Sequence, residues 1–201
     1  VRVARTPPTG PVFLALPMSV LRGEVAAEPR PLGPIPDPGA GEEGQLDRAA
    51  DHLVRATEPV LVLGDGVAQA DGVQAAVDLA EASGARVHGE VLASEVNFPV
   101  DHRQWISQLP PSEGPLRSLQ DTDTIAFVGC STNTTLVRHE DPLVDPSATC
   151  VHVNADPWEV GKNVHADAAV VGDPARAMAA VATRVAARLD DAERERRLEG
   201  G

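Results

Sequence analysis

Apolar residues recur at helical spacing in several stretches of this chain, and these stretches predict amphipathic helices. The first consists of Leu46, Ala49, Ala50, Leu53 and Val54. A second helix is predicted over 73–80 and stops near Gly84, and a long closing helix is predicted over 174–189. Shorter helices are expected before Gln120 and from Pro157 onward.

Between the helices lie short, continuous apolar runs, the pattern of strands buried on both faces of a sheet. They occupy 60–63, 124–128, 149–153 and 168–171, and a further strand is predicted over 86–91. The stretch 93–112 shows neither spacing and is predicted to be irregular. Strands that alternate with helices indicate a parallel sheet, because each crossover helix must pack back onto it. The sequence therefore predicts an α/β fold, a Rossmann-like open parallel sheet with helices on both faces and any ligand crevice at the carboxyl ends of the strands.

Proline and glycine divide the chain into segments. The apolar run 11–17 predicts one buried strand with nothing before it to pair with, so residues 1–21 are expected to be the tail of a preceding domain. Over 22–44 prolines alternate with glycines, which excludes helix and central strand and predicts a stiff, extended linker. The central α/β domain is then expected over 45–190, and the charged tail 191–201 is expected to be frayed or solvated.

Composition and charge narrow the classes of function. Aromatic residues make up only 2%, so the core is expected to consist of Val, Leu, Ala and Ile. A net charge of −13 disfavours nucleic acid and anionic membrane surfaces as partners. Neither a transmembrane run nor a signal-peptide pattern is present, so the cytoplasm is the expected location. Cys130 and Cys150 match no metal spacing and are interpreted as core residues in a reducing compartment.

The run Gly64-Asp65-Gly66 directly follows the first predicted core strand and has two interpretations. Its glycines allow a tight turn and an exposed helix N-terminus, which can receive a phosphate. However, Gln69 stands where the dinucleotide fingerprint has its third glycine. A plain strand-to-helix turn is therefore favoured, and a nucleotide bound at Gly64 and Gly66 is the alternative.

The segment after the strand at 149–153 has the pattern of a helix start. Asp156 is a good N-cap, Pro157 suits the first helical position, and Glu159 completes a capping box. The same pattern recurs at Asp173-Pro174. Asp156 could also accept hydrogen bonds from ribose hydroxyls, as acidic residues after strands do in nucleotide-binding sheets. The two roles are compatible.

Several segments together resemble one family. The stretches 151–163 and 166–173 look like the second half of the middle domain of the acetolactate synthase, benzoylformate decarboxylase and pyruvate oxidase superfamily of thiamine-diphosphate enzymes. The stretches 58–67 and 79–84 resemble its first half. The stretch 10–20 is similar to the last strand of the pyrimidine-binding domain that precedes it. The matches follow the family's order over nearly the whole chain.

The resemblance implies a parent enzyme of three domains in a homo-oligomer, in which thiamine diphosphate and Mg²⁺ are bound by the pyrimidine and diphosphate domains. Gly64-Asp65-Gly66 could suggest the Gly-Asp-Gly that opens the family's metal motif. The carboxamide ligands would then be due near Ala93 and Ser94, and Asn97 lies off that register. Neither cofactor is therefore expected on this chain, and its partners are the two missing domains.

The branch of the family is read from two segments. Residues 97–102 and 105–110 are similar to the benzoylformate decarboxylase pattern, and 107–111 contains no glycine that would let a flavin approach closely, which argues against FAD. His139 lies where that branch places a histidine that reaches the active site, so it is a candidate proton relay in the parent, the alternative being a solvated loop histidine. His102 is expected to hold the long loop by hydrogen bonding.

Three hypotheses follow. The first is a non-catalytic central domain of a thiamine-diphosphate- and Mg²⁺-dependent 2-oxo-acid decarboxylase or carboligase, which joins the catalytic domains and contributes to subunit contacts. The second is a nucleotide-binding module that holds FAD, ADP or a CoA-type ligand at Gly64, Gly66 and Asp156. The third is a free-standing NAD-dependent enzyme, for which the sequence offers no convincing nucleophile, base or metal site.

Overall fold

The computed structural model describes residues 1–28, 30–111, 119, 121–131, 142 and 144–199. The chain divides into two compact units, Val1–Asp37 and Pro38–Gly201. In the part that the structure describes, no helix is long and apolar enough to cross a membrane.

The first unit contains two short helices, α1 (Arg2–Arg5) and α2 (Met18–Leu21). The buried strand predicted over 11–17 does not form: these residues have no regular secondary structure, and Phe13 is 95% exposed. The prediction was wrong because a β-strand is stable only when a neighbouring strand pairs with its backbone. No residue of the first unit supplies such a pairing among those described.

The second unit is built on a six-stranded sheet in which every pairing is parallel. The strands are β1 (Pro59–Leu63), β2 (Arg86–Gly89), β3 (Trp105–Gln108), β4 (Thr124–Val128), β5 (Thr149–Asn154) and β6 (Ala168–Val171). Their order across the sheet is β3-β2-β1-β4-β5-β6, the order of the dinucleotide-binding doubly wound folds. The predicted α/β architecture is confirmed.

Alternate residues of the strands feed two hydrophobic clusters, one on each face of the sheet. Leu61 and Leu63 of β1 belong to the larger cluster, which packs against α3 (Glu43–Arg55), α5 (Val73–Ser83) and α6 (Pro174–Ala186). Val60 and Val62 belong to the smaller cluster on the opposite face. The helix predicted to end at Gln120 falls on 112–118 and 120, outside the described residues. The continuous apolar runs therefore encode a sheet that is buried on both faces.

One strand was missed, because β3 lies within the stretch predicted to be irregular. It pairs with β2 at the edge of the sheet, and its residues alternate between half-buried and exposed. Its sequence, Trp-Ile-Ser-Gln, ends in two polar residues and every second side chain is exposed, so β3 lacks a continuous apolar run.

The two predicted capping patterns have different outcomes. At Asp173 the side chain accepts a hydrogen bond from the backbone N–H of Arg176 at 3.0 Å, and Pro174 begins α6, as predicted. After Asp156 the chain forms turns instead of a helix. Trp158, the largest apolar side chain of this segment, is 81% exposed and adds no packing, and packing rather than capping supplies most helix stability. The predicted helix from Pro157 was therefore wrong.

The charged tail is helical and docked, contrary to the expectation that it is frayed or solvated. Residues Asp191–Glu199 form α7, in which the Arg197 side chain is buried. Its guanidinium donates to the Leu53 and Val54 carbonyls at the end of α3, at 2.9 and 2.8 Å, and to the Ser83 carbonyl at the end of α5, at 3.0 Å. One arginine thus satisfies the open carbonyls at two helix ends.

Candidate functional site

The strand order places a crevice at the carboxyl ends of β1 and β4, where the direction in which successive strands are added to the sheet reverses. In open α/β sheets this switch point is the usual position of a ligand. A cavity of about 510 Å³ opens there. We call it the switch-point crevice; its described lining includes Gly66, Glu90, Ser131, Asn154 and Glu159. Its volume lies in the range of small-molecule sites.

The two predicted glycines bring the turns after β1 and β4 into close contact. A Cβ atom on Gly64 would lie 2.6 Å from the Gly129 carbonyl oxygen and 2.7 Å from the Cys130 Cα. A Cβ on Gly66 would lie 2.8 Å from the Gly129 Cα. These distances are shorter than van der Waals contact, so both positions need glycine for packing within the chain. Gly66 belongs to the described lining of the switch-point crevice, whereas Gly64 does not.

Asp65, between the two glycines, is committed to holding a loop. Its carboxylate accepts hydrogen bonds from the Ser94 N–H at 3.0 Å, the Ser94 hydroxyl at 2.7 Å, the Glu95 N–H at 3.0 Å and the Asn97 side-chain amide at 3.2 Å. Burial opposes the charged form of Asp65, but these hydrogen bonds outweigh it and hold the pKa of the carboxyl below its usual value. A carboxylate with these partners anchors the loop after β2.

Glu90 is the functional candidate that the sequence reasoning missed. It follows β2 directly, and its side chain crosses to the turn after β4, where Oε1 accepts a hydrogen bond from the Ser131 N–H at 2.7 Å. Burial, together with the nearby charges of Asp65 and Glu159, raises the pKa of Glu90 to about 7 despite that hydrogen bond. A signal existed: an acidic residue about 20 residues after the glycine turn is part of the dinucleotide fingerprint.

Asp156 was predicted to share a nucleotide site with Gly64 and Gly66, and the structure leaves it outside the described lining of the switch-point crevice. Its carboxylate accepts a hydrogen bond from the Trp158 N–H at 2.9 Å, and its own N–H donates to the Asn154 side chain at 2.9 Å. The side chains from this segment that do line the crevice are Asn154 and Glu159.

The structure describes one of the two loop histidines, His102, and does not describe the other. His139 lies outside the described residues, so its proposed proton relay stays a prediction. His102 holds the loop after β2, as predicted: one ring nitrogen lies 3.4 Å from Glu81 on α5, and the other accepts the Gln104 N–H at 3.3 Å. Its ring also packs edge-on against Phe98.

Cys130 and Cys150 are buried and unbridged, as the sequence predicted. Burial raises the pKa of the Cys150 thiol to about 12, and it raises the pKa of Cys130 well above its usual value. A thiol that stays protonated at neutral pH is a poor nucleophile and a poor metal ligand.

The same described residues do not form a site for a metal ion or for the cofactor diphosphate. Over the described ranges, no group of three or more His, Cys, Asp or Glu side chains could hold a metal ion. The carboxylate of Asp65, the residue that a Gly-Asp-Gly metal motif would use, is occupied by Ser94, Glu95 and Asn97. These residues do not fit a magnesium-diphosphate group.

Comparisons with known proteins agree on one family. The family described as thiamine pyrophosphate enzyme, central domain, matches residues 46–181, more than half of the chain. This chain belongs to that central-domain family. The match lies within the second unit and spans β1 to most of α6.

Curated relatives of this central domain are much longer proteins. The acetolactate synthase of Mycobacterium leprae is 31% identical over 170 residues, 82% of this chain and 27% of that protein. The sulfoacetaldehyde acetyltransferase of Castellaniella defragrans is 30% identical over 183 residues, 88% of this chain and 30% of that protein. The chain thus spans less than a third of the length of these relatives.

Solved structures give the same result for the fold. A protein of Mycobacterium smegmatis assigned to the thiamin diphosphate-dependent enzymes superposes with a TM-score of 0.81 at 26% identity, covering 94% of this chain and 36% of that one. The benzoylformate decarboxylase of Polynucleobacter necessarius superposes with a TM-score of 0.79 at 22% identity, covering 90% and 34%. The second likeness is one of fold alone.

Proposed function

We propose that this chain is the non-catalytic central domain of a thiamine-diphosphate- and Mg²⁺-dependent enzyme that decarboxylates or ligates 2-oxo acids. One observation carries the proposal: the central-domain family covers 46–181, and the curated relatives are more than three times as long as the matched segment. In this proposal the domain joins the pyrimidine- and diphosphate-binding domains and contributes to subunit contacts in a cytoplasmic homo-oligomer. The His139 loop is proposed to reach the active site of the parent.

The chemistry of the described residues supports a structural role. Among the described residues, Ser107 and His88 form a hydroxyl–imidazole pair at the edge of the sheet, with Oγ of Ser107 3.4 Å from Nδ1 of His88. His88 is only 1% exposed, and burial lowers its pKa to about 4. A buried imidazole with so low a pKa is a weak general base, and substrate cannot reach it.

A turnover assay tests the proposal. The purified chain is incubated with thiamine diphosphate, Mg²⁺ and a panel of 2-oxo acids that includes pyruvate, and CO₂ release is measured. A full-length acetolactate synthase serves as the positive control. We expect CO₂ release at the rate of a blank without protein. Sustained release that depends on both the chain and thiamine diphosphate would overturn the proposal.

A second candidate, a nucleotide-binding module, is favoured by the topology alone. The strand order and the cavity at the switch point match the position of dinucleotides in doubly wound sheets. FAD, ADP and CoA-type ligands all carry a diphosphate that the turn at Gly64 and Gly66 would have to receive. Calorimetric titration of the chain with FAD separates the candidates, because micromolar binding supports the module and its absence supports a purely structural domain.

A further inference from the structure

The backbone donors of the glycine turn are already used within the chain. A diphosphate bound at such a turn receives hydrogen bonds from the exposed N–H groups at the start of the following helix. Here the N–H groups of Gly66, Val67 and Gln69 donate to backbone carbonyls at 2.9 to 3.1 Å. The N–H of Ala68 donates to the Asn97 side chain at 3.2 Å. The helix that follows, α4 (Gly66–Gln69), is one turn long, so few peptide dipoles align at its start.

In the neighbouring turn after β4, the backbone N–H of Ser131 is likewise already used, because it donates to Glu90. Its Oε1 accepts the Ser131 N–H at 2.7 Å, and its Oε2 lies directly over Gly64, where a Cβ would collide with it. The carboxylate therefore spans the turns after β1 and β4. In a dinucleotide site the glycines leave this space open for the phosphate to approach the backbone.

Charge at the switch-point crevice also opposes an anion. Its described lining contains Asp65, Glu90 and Glu159 and includes no Lys or Arg. Lys162 is bound to the Glu159 carboxylate at 3.0 Å. A phosphate group brought into this crevice would face carboxylates at short range, and like charges placed together strongly oppose binding.

The position of Glu90 in the chain suggests a competing role. After the second strand of a dinucleotide-binding sheet, an acidic residue often accepts the ribose hydroxyls of the ligand. That role needs a carboxylate directed outward from the sheet edge. Glu90 is directed inward, bonded to Ser131 and packed on Gly64, with its pKa raised to about 7 by burial.

We propose that Glu90 is a specificity-determining residue: its carboxylate occupies the place of a phosphate between the Gly64 and Ser131 turns and excludes nucleoside diphosphates from the switch-point crevice. The exclusion follows from the geometry of this domain and holds or fails independently of its proposed role in a larger enzyme. It distinguishes this central domain from an open dinucleotide site on the same strand order.

The two roles of Glu90 predict opposite effects of its replacement on ADP affinity. Exclusion predicts tighter binding by the variants, and ribose recognition predicts weaker binding. ADP and adenosine are titrated calorimetrically, at a pH of about 8 where the carboxylate is charged, into the parent chain and into Glu90→Gln and Glu90→Ala. Glu90→Gln removes the charge and keeps the shape, whereas Glu90→Ala also opens the space. Glu95→Gln, which removes a charge from the neighbouring loop, is the matched control.

We expect no ADP binding by the parent up to about 1 mM. Glu90→Ala should gain ADP affinity by about tenfold or more, and Glu90→Gln by less, because a repulsive charge and a steric block are removed in turn. Adenosine should gain less than ADP, and Glu95→Gln should behave as the parent. Circular dichroism identifies folded variants, and Glu90→Gln alone decides the test if Glu90→Ala unfolds.

Two results would overturn the proposal. If the parent binds ADP and adenosine and both Glu90 variants bind them more weakly, Glu90 is a ribose acceptor. If the folded variants bind ADP no better than the parent does, Glu90 does not control entry to the crevice. Neither result bears on CO₂ release by the chain, which tests the structural role separately.

Discussion

A large contribution to tertiary stability outside the sheet is expected from Arg197 on α7. Its guanidinium donates to three carbonyls at the ends of α3 and α5 and pairs with Glu193 at 3.2 Å. Each hydrogen bond to a charged group contributes about 1.5 to 3 kcal/mol. In Arg197→Ala, undocking of α7 lets water reach the carbonyls, so the expected loss in unfolding free energy is about 2 to 4 kcal/mol rather than the sum.

Urea unfolding monitored by circular dichroism measures this loss, by linear extrapolation of the unfolding free energy to water. Arg196→Ala is the matched control, because Arg196 lies next in the chain, also pairs with Glu193 and has a side chain that is 71% exposed. The control should lose less than about 1 kcal/mol, as exposed ion pairs do. Arg197→Lys should resemble Arg197→Ala, since an ammonium lacks the planar fork that reaches several acceptors. Equal stabilities of Arg197→Ala and Arg196→Ala would refute the capping role.

Two further predictions concern buried groups. Burial lowers the pKa of His152 to about 4, so the unfolded chain binds a proton first as the pH falls, and stability is lost between about pH 6.5 and 4. The raised pKa of Glu90 has the opposite effect on stability, so the effect of His152 is isolated by comparing the parent chain with His152→Gln. In urea titrations, acidification should lower the unfolding free energy of the parent by about 3 kcal/mol more than that of the variant. Parallel pH profiles of the two unfolding free energies would contradict the role assigned to His152. Gly64→Ala should destabilise the domain by about 2 kcal/mol or more in thermal unfolding, because its Cβ would meet backbone atoms, and an unchanged midpoint would show that the turns are not in contact.

The hydrophobic pattern of the sequence was sufficient to predict the elements that are stabilised by burial on both sides. β1 and β4 consist almost wholly of apolar residues, and Gly84, in the left-handed conformation at a φ of 67°, ends α5 where predicted. The pattern did not predict two elements that are stabilised in other ways. β3 is an edge strand with one exposed face, and α7 is a polar helix with Arg197 buried against the ends of two others, which periodicity does not encode.

The position of the candidate site could be predicted from the sequence, but the side chains that form it could not. The glycine turn and the alternation of strands and helices located the crevice in advance. The spacing from the glycine turn could have identified Glu90 as a candidate, but nothing in the sequence shows that its side chain reaches the N–H of Ser131. The position of Asp156 after a strand predicts a ligand-binding carboxylate, yet this carboxylate is used by the local turn at Trp158. Which acidic residue faces a crevice depends on side-chain direction, and this is fixed by packing between elements distant in sequence.

Binding of thiamine diphosphate is the most direct test of the central claim that this domain carries neither the cofactor site nor the chemistry of its family. The measurement is a calorimetric titration of thiamine diphosphate with Mg²⁺ into the purified chain, with a full-length acetolactate synthase as the positive control. We predict only the heat of dilution for this chain up to about 1 mM cofactor. Saturable binding at micromolar concentration with a stoichiometry near one, dependent on Mg²⁺, would contradict that claim.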